Sequence, residues 1–150
     1  MSEQNKATVI KFIEAFSDGD AETAKTCLGP DAVTYAKGFG KLSGPRPFDL
    51  IIATTATFKD IIPTGLRPKF SRVIAEGDTV MAEFEGNATL ANGVAYCNQY
   101  CMVFTLDQGL IRQVNEYYCT ILADDCILPL LAGVEEQRHA LEAEWPGHGR

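Results

Sequence analysis

The sequence is short of positive charge and of long apolar runs. Thirteen Lys and Arg residues stand against twenty Asp and Glu residues, which gives a formal net charge of −7. No cluster of basic residues interrupts this balance, so the composition argues against nucleic acid and anionic membranes as partners. The longest apolar runs, such as Ile127 to Ala132, are far shorter than the roughly 20 residues of a membrane-spanning helix. We therefore expect a soluble protein with no nucleic-acid or membrane partner.

Residues that bind metals are also few. The two histidines, His139 and His148, lie in the C-terminal tail, away from every cysteine. Cys97 and Cys101 lie four residues apart on one predicted strand, roughly 13 Å, which is too far for one zinc ion to bridge. Five cysteines are an odd number, and Met1 to Lys6 is polar, so we expect reduced thiols and a cytoplasmic location. With no glycine-rich phosphate loop either, we expect neither metal nor cofactor.

The composition that remains is typical of one globular domain. Apolar residues make up 46% and charged residues 22% of the 150 residues, far from the composition of a disordered chain. Because domains cluster near roughly 100 to 150 residues, we expect a single domain over residues 1–150.

The N-terminal part of the sequence predicts three helices and a strand. Apolar residues at helical spacing predict a helix over 6–16, and Asp20 is placed to cap a second, short helix through Leu28. Ala32 to Ala36 is short and partly β-branched, which predicts a first strand. Helical spacing returns from Phe48 to Phe58 and predicts the third helix.

From Arg67 onward the pattern predicts an antiparallel meander of four strands. Short turn signals separate the strands at 76–78, 91–93 and 107–109. From Val80 to Thr89 apolar and polar residues alternate, with the even positions on the buried face. Helices first and strands later, without alternation, predict an α+β domain.

A string of residues in the last strands carries a family resemblance. It reads Gly93-x2-Tyr96-x-Asn98-x-Tyr100-x3-Phe104-x4-Gly109-x-Ile111-x4-Glu116-Tyr117. With the predicted order of elements, it resembles the SnoaL-like branch of the nuclear transport factor 2-like, or ketosteroid isomerase-like, superfamily over about residues 6–122. The resemblance implies a cone-shaped, strongly curved mixed or antiparallel sheet wrapped around three N-terminal helices, a small-molecule pocket and a homodimer. Because the fold hosts enzymes and non-enzymes, the chemistry must be argued from this chain's own residues.

The catalytic residues of three relatives are missing. The resemblance places Phe12, Ala36 and Met102 at the positions of the ketosteroid isomerase tyrosine, base and protonated aspartate. The Arg-x-Asp of limonene epoxide hydrolase falls on Phe84-x-Gly86. Its later aspartate, and the acid-base aspartate of SnoaL-like cyclases, fall on Cys119. The resemblance therefore implies the fold and a pocket without these known catalytic sets.

The predicted pairing of the strands brings polar groups together. If the turn at 107–109 sets its flanking leucines opposite each other, Tyr100 faces Glu116 and Asn98 faces Tyr118. An amide, phenols and a carboxylate then share one side of the sheet.

The preceding turn predicts a pocket beside these groups. If the turn at 91–93 pairs its strands in the same way, Asn98 lies opposite Gly86 and Tyr100 opposite Phe84, with space above Gly86. A small apolar cavity with a few polar groups is the usual form of a ligand site. The predicted ligand-binding residues are Tyr35, Phe84, Tyr96, Asn98, Tyr100 and Tyr118.

Glu116 is the candidate catalytic residue. A carboxylate on a buried face must be paired, hydrogen-bonded or raised in pKa, and a raised pKa suits a general acid or base. In the structural alternative, Glu116 accepts hydrogen bonds from Tyr100 and Asn98 and only fixes the sheet. Arg72, expected opposite Ala82, either binds an acidic group of the ligand or is solvated.

The C-terminal extension over 123–150 follows the predicted core of about 6–122. It holds an apolar piece, Ile127 to Leu131, and a charged piece with helix propensity, Val134 to Trp145. The apolar piece would favour aggregation if exposed, so we expect it to cover the helices, the pocket mouth or a partner.

Two functions stay open at this stage. The first is a cofactor-free acid-base enzyme of isomerase, cyclase, hydratase or dehydratase type, acting on a small, mostly apolar or amphipathic molecule. The alternative is a non-catalytic ligand-binding or assembly domain. An open pocket with Glu116 exposed to it would favour the enzyme.

A homodimer is predicted through an apolar strand face that holds Cys97, Cys101, Val103, Ile111 and Tyr117.

Overall fold

The structure is a computed structural model that describes residues 2–131. Its elements are α1 (Ser2–Ser17), α2 (Ala21–Thr26), β1 (Leu28–Ala36), β2 (Gly44–Pro47), α3 (Phe48–Ala56), α4 (Phe58–Ile61), β3 (Lys69–Glu76), β4 (Thr79–Glu85), β5 (Ala88–Thr89), β6 (Ala95–Tyr96), β7 (Gln99–Asp107), β8 (Leu110–Tyr118), α5 (Thr120–Cys126) and a 3₁₀ helix (Leu128–Leu130). The predicted helical piece from Val134 to Trp145 lies outside the described residues.

The three predicted N-terminal helices are present. α1 buries Val9, Phe12 and Ile13, which follow helical spacing, in the core formed with the sheet. Asp20 caps α2, because its Oδ1 accepts a hydrogen bond from the Thr23 backbone N–H at 3.1 Å. Within residues 2–131, none of the helices is long and apolar enough to cross a membrane.

Six strands form one mixed sheet in the order β2-β1-β8-β7-β4-β3. The meander of β3, β4, β7 and β8 is antiparallel, as predicted, whereas β1 runs parallel to β8. A small second sheet pairs β5 with β6. These strands, together with the helices, confirm the α+β class. The cone shape and strong curvature that the resemblance implies stay predictions.

The pairing of β7 with β8 differs from the predicted register by two residues. The turn contains only Gln108 and Gly109, both with positive φ, as two-residue hairpins require. Arg112 is an extra residue on β8, a β-bulge between two paired positions. Together the turn and the bulge place Met102, not Tyr100, opposite Glu116. Tyr100 lies opposite Tyr118, and the predicted pairing of Asn98 with Tyr118 is wrong.

The bulge also decides which residues of β8 face the core. Ile111 precedes it and is fully buried, and Val114 and Glu116 follow it and are buried too. Ile111 therefore does not belong to the exposed face on which the dimer was predicted. The predicted position of Arg72 is wrong for a similar reason, since an irregularity in β3 places it opposite Glu83 on the exposed face.

The pairing of β4 with β7 follows the prediction. Phe84 lies opposite Tyr100, and the Gly86 N–H donates to the Asn98 carbonyl at 2.9 Å. The expected space above Gly86 is filled, however. A Cβ at Gly86 would lie 3.4 Å from Tyr100 Cε2 and 3.5 Å from Leu66 Cδ2. The cavity therefore lies elsewhere along the inner face of the sheet.

Candidate functional site

A cavity of about 390 Å³ lies between the inner face of the sheet, the helices α3 and α4, and the C-terminal segment. Most of its lining is apolar, and includes Phe16, Leu50, Phe58, Ile61, Met102 and Ile127. Its ionisable lining residues are Arg46, Glu116 and the tyrosines at 96, 100 and 118. This composition, an apolar space with a few polar groups, is typical of a ligand pocket.

Glu116 lies on β8 at the wall of this cavity, as predicted, with 10% of its side chain exposed. Its Oε1 accepts a hydrogen bond from Arg46 Nη1 at 3.1 Å. Among the described residues, Arg46 is the one hydrogen-bond donor to this carboxylate, and Oε2 has no donor. Burial raises the pKa of Glu116 above its ordinary value, and the Arg46 guanidinium opposes that rise.

Arg46, the charged partner of Glu116 at the cavity wall, was not predicted from the sequence. It lies on the edge strand β2 between two prolines, which only an edge strand tolerates. The neighbours of Glu116 in its row across the sheet are Ala36 and Gly44. Their lack of bulk leaves room for the guanidinium, whose Nη2 also donates to the Leu42 carbonyl at 3.3 Å. The one indication of this residue in the sequence is its position between two prolines, just before the predicted third helix.

Arg46 stays protonated, and therefore positively charged, in this position. Burial disfavours the charged guanidinium, but Glu116 and Tyr118 outweigh that effect and raise the pKa of Arg46. The Tyr118 phenol lines the cavity with the guanidinium and contributes to this rise in the pKa of Arg46. Three quarters of the Arg46 side chain is shielded from solvent, so the ion pair with Glu116 is partly buried.

Three of the predicted tyrosines line the cavity beside this ion pair. Burial raises the pKa of Tyr118 to about 12, against a smaller opposite effect of Arg46. Burial also raises the pKa of Tyr100 well above its ordinary value, and it raises the pKa of Tyr96. All three phenols therefore stay protonated at neutral pH and can donate hydrogen bonds. Whether they bind a ligand stays a prediction.

Asn98 is fully buried and lies outside the lining of the cavity. Its Nδ2 donates to the Tyr96 hydroxyl at 2.9 Å and to the Cys119 carbonyl at 3.0 Å. Its Oδ1 accepts from the backbone N–H groups of Gln99 at 2.8 Å and Cys119 at 3.1 Å. These bonds hold Tyr96 against the cavity and tie the start of β7 to the end of β8. This geometry favours a positioning role over direct contact with a ligand.

Two other predicted ligand-binding residues lie away from the cavity. Phe84 is buried beneath Tyr100, with the two rings stacked at 4.9 Å between centroids. Tyr35 lies on the outer face of the sheet, because its neighbours Thr34 and Ala36 in β1 point inward. The Lys37 ammonium lies 4.1 Å from the centroid of the Tyr35 ring. Tyr35 and Phe84 are therefore not among the lining residues of this cavity, and their contact with a ligand stays a prediction.

The C-terminal segment closes one side of the cavity. Ala123 of α5, Ile127 and Leu131 are lining residues. Both carboxylate oxygens of Asp124 accept a hydrogen bond from the Lys41 backbone N–H, each at 3.0 Å, and this fixes α5 to the loop before β2. The apolar piece from Ile127 to Leu131 therefore covers the cavity without filling it.

The described part of the chain, residues 2–131, contains no group of three or more His, Cys, Asp or Glu side chains placed to hold a metal ion. Cys27 is buried, and Cys97 and Cys119 are exposed; all five cysteines are free thiols. The ionisable groups that residues 2–131 contribute to the cavity are thus one carboxylate, one guanidinium and three phenols.

Comparisons with known proteins agree with this architecture. The family model of the SnoaL-like domain matches residues 9–114. A nuclear transport factor 2-like protein of unknown function from Burkholderia pseudomallei has a TM-score of 0.72 at 21% identity, covering 85% of this chain and 98% of that chain. An LEH-like epoxide hydrolase from M. tuberculosis has a TM-score of 0.70 at 20% identity, covering 91% of this chain and 98% of that chain.

A third solved structure is TerC, co-crystallised with polyporic acid. Its TM-score is 0.70 at 19% identity, and the match covers 83% of this chain and 98% of that chain. A search of curated proteins gave no match. At these identities the solved structures establish the shared fold alone, whereas the family model spans more than two thirds of the sequence. The chain belongs to the SnoaL-like domain family.

Proposed function

We propose that the protein binds a small, mostly apolar or amphipathic molecule in the cavity and catalyses a cofactor-free acid-base step on it. The reaction type is an isomerisation, cyclisation, hydration or dehydration. The observation that carries this proposal is the position of Glu116, at the wall of an apolar cavity with one carboxylate oxygen without a hydrogen-bond donor among the described residues.

Glu116 has the properties of a general base. Its Oε1 is held by Arg46, which fixes the side chain and leaves Oε2 to take a proton from the ligand. Burial raises its pKa toward neutral pH, where a catalytic base transfers protons best. When Oε2 removes a proton, negative charge develops on the ligand. Arg46 and the hydroxyl of Tyr118 are placed to stabilise that charge in a water-poor site.

Two of the similar structures support a small-molecule site. One is an epoxide hydrolase, and the other binds polyporic acid. Both share the fold of this chain, so a cavity of this kind is compatible with binding and with catalysis on small molecules.

A second candidate function is a non-catalytic binding domain. The ion pair of Glu116 with Arg46 favours it, because a carboxylate held by a guanidinium also stabilises the sheet without any chemistry. In that case the cavity binds a ligand that is released unchanged.

The assembly and location belong to the same proposal. We propose a cytoplasmic homodimer that forms through the outer face of the sheet. Ile74, Met81 and Val103 lie in one row across β3, β4 and β7 on that face, and the row continues to Tyr35 on β1 through Asn115. The five free thiols support a reducing compartment.

Exchange of a carbon-bound proton tests the acid-base role without knowledge of the substrate. The probe is 2-tetralone, an apolar bicyclic ketone, incubated with the protein in D₂O and followed by proton NMR. We expect the wild-type protein to accelerate deuterium incorporation next to the carbonyl. Glu116→Gln keeps the shape of the side chain, and we expect it to slow the protein-dependent exchange about a hundredfold.

The matched control is Glu83→Gln. Glu83 pairs with Arg72 at 3.3 Å on the outer face of the same sheet, so this variant also removes one carboxylate from an ion pair. It should exchange the probe at the wild-type rate. If Glu116→Gln exchanges the probe as fast as the wild type, Glu116 is not the base. If the probe binds but no exchange is accelerated, the binding-domain alternative is favoured.

A further inference from the structure

Among residues 2–131, the charges of the side chains that line the polar end of the cavity cancel. Arg46 contributes one positive charge and Glu116 one negative charge. The other ionisable groups that face Glu116 are phenols: Tyr96 from β6, Tyr100 from β7 and Tyr118 from β8. The described lining residues from α3, α4 and α5 are uncharged. A charged ligand that enters this space therefore gives it a net charge.

Two further charged residues of the described part of the chain are bound away from this end of the cavity. The Lys37 backbone donates to the Glu116 carbonyl, but its ammonium lies over the Tyr35 ring on the outer face. The Asp124 carboxylate is bonded to the Lys41 backbone. Neither group can compensate a new charge beside Arg46.

Arg46 has hydrogen-bonding capacity that its present partners do not use. A guanidinium carries five N–H donors in a planar fork that matches a carboxylate. In the described structure Nη1 donates to Glu116 and Nη2 donates to the Leu42 carbonyl. Replacing a buried ion pair by apolar side chains often leaves the stability of a protein unchanged or increases it. Stability alone therefore does not account for a partly buried ion pair at a cavity wall, whereas a ligand that uses one of its charges does.

We propose that the natural ligand is an apolar monocarboxylic acid whose carboxylate binds Arg46 in place of Glu116, while Glu116 takes up one proton from solvent. This inference rests on the proposed function, because it names the ligand of the same cavity. When a neutral molecule such as 2-tetralone is bound, Glu116 stays ionised and acts as the base. When the acid is bound, Glu116 is protonated and acts as the general acid of the acid-base step. Before binding, the charges of Arg46 and Glu116 cancel. After binding, the charges of Arg46 and the ligand cancel, and the neutral Glu116 carboxyl donates a hydrogen bond to the ligand.

The coupled proton is a consequence of the charge balance. If Glu116 stayed ionised, two carboxylates would share one guanidinium in an apolar space, and like charges at that distance favour protonation of one of them. Glu116 is the group that gains the proton, because burial already raises its pKa. A neutral ligand of the same shape would leave the ion pair intact and take up no proton.

Calorimetric titration of the wild-type protein tests this directly. The probes are 2-naphthoate and its neutral analogue 2-naphthamide, each titrated at pH 8 in two buffers of different ionisation enthalpy. We expect 2-naphthoate to bind with uptake of about one proton, and to bind more tightly as the pH falls to 6. We expect 2-naphthamide to bind without proton uptake and with no change in affinity over this range.

Variants separate the roles of the two charges. Glu116→Gln has no proton to take up, so it should bind 2-naphthoate about tenfold more tightly than the wild type at pH 8, independently of pH. Arg46→Gln should weaken 2-naphthoate binding about tenfold or more and change 2-naphthamide binding less than about threefold. Arg72→Gln and Glu83→Gln, which break the exposed ion pair, should leave both affinities unchanged.

The proposal is overturned if 2-naphthoate fails to bind the wild-type protein, or binds without proton uptake. Because these measurements use the wild-type chain, they stand even if a variant unfolds. Loss of 2-naphthoate binding with intact exchange of 2-tetralone would reject the acid as ligand and keep the acid-base function. The reverse result would keep the acid as ligand and reject catalysis.

Discussion

At the scale of single residues, the state of Glu116 is set by neighbours on three strands. Met102 lies opposite it on β7 and Ala36 beside it on β1, and neither offers a polar side chain. The carboxylate therefore loses most of its water, and Arg46 on β2 restores only part of the lost solvation. The balance between these effects leaves Glu116 with a raised pKa and with one carboxylate oxygen that has no hydrogen-bond donor among the described residues.

Asn98 determines the stability of the same site. We expect Asn98→Ala to lower the free energy of unfolding by about 3 kcal/mol, because backbone groups of Gln99 and Cys119 and the Tyr96 hydroxyl all lose a partner. Urea unfolding measures this change.

The control for Asn98 is an amide on the outer side. Asn115 accepts a hydrogen bond from the Gln113 side chain at 2.9 Å, in an exposed setting. Asn115→Ala should change the stability by less than about 0.5 kcal/mol. A loss below about 1 kcal/mol for Asn98→Ala would show that its hydrogen bonds do not tie the strands together.

At the scale of elements, local patterns predicted most of the fold. The helical spacing in α1, the Asp20 cap and the alternation along β4 are all present in the structure. The two-residue turn and the bulge at Arg112 each shifted the predicted register of β8 by one residue. The signal of the bulge was in the sequence, because Ile111 and Val114 are apolar positions three apart and a regular strand cannot bury both on one face.

The strand β2 could not be predicted in the same way. Gly44–Pro47 has no apolar alternation, and it forms a strand because it pairs with β1. The contact of Arg46 with Glu116 joins residues 70 positions apart in the sequence. No local pattern reports such a contact, so the carboxylate was found from the sequence and its cation was not.

The C-terminal segment offers a test at this scale. We expect truncation after Leu122 to lower the melting temperature by roughly 5 °C or more, because Ala123, Ile127 and Leu131 no longer cover the cavity. Binding of a hydrophobic dye should rise in the same variant. Thermal melting and dye fluorescence measure both effects.

Asp124→Ala is the smaller change in the same segment. It removes only the hydrogen bonds to the Lys41 backbone, so it should cost about 1 kcal/mol and raise dye binding less than truncation does. Unchanged melting and dye binding in both variants would mean that the segment does not cover the cavity in solution.

At the scale of the whole molecule, the two faces of the sheet differ in what they carry. Its inner face carries the core and the cavity. Its outer face exposes half of the Ile74 side chain and nearly half of Tyr117, and partly exposes Val103. Contiguous exposed apolar groups usually mark an interface. A dimer formed through the outer face, as proposed, would leave the cavity accessible within each protomer.

Sedimentation velocity tests this arrangement. We expect a dimer at micromolar concentration, and we expect Val103→Lys to weaken the dimer at least about tenfold because a charge would be buried at its centre. Leu110→Lys, at the tip of the hairpin between β7 and β8, is the control and should leave the dimer intact. A wild-type monomer at that concentration would contradict the proposed interface.

The pKa of Glu116 tests the central claim most directly. Its carboxyl carbon can be followed by carbon NMR through a pH titration, with Glu116→Gln to assign the signal. We expect Glu116 to titrate above its ordinary value of 4.5, since burial outweighs the effect of Arg46. In Arg46→Gln, where the opposing charge is gone, it should titrate higher still. A wild-type pKa at or below 4.5 would contradict the account, because Glu116 would then be the acidic half of a structural ion pair.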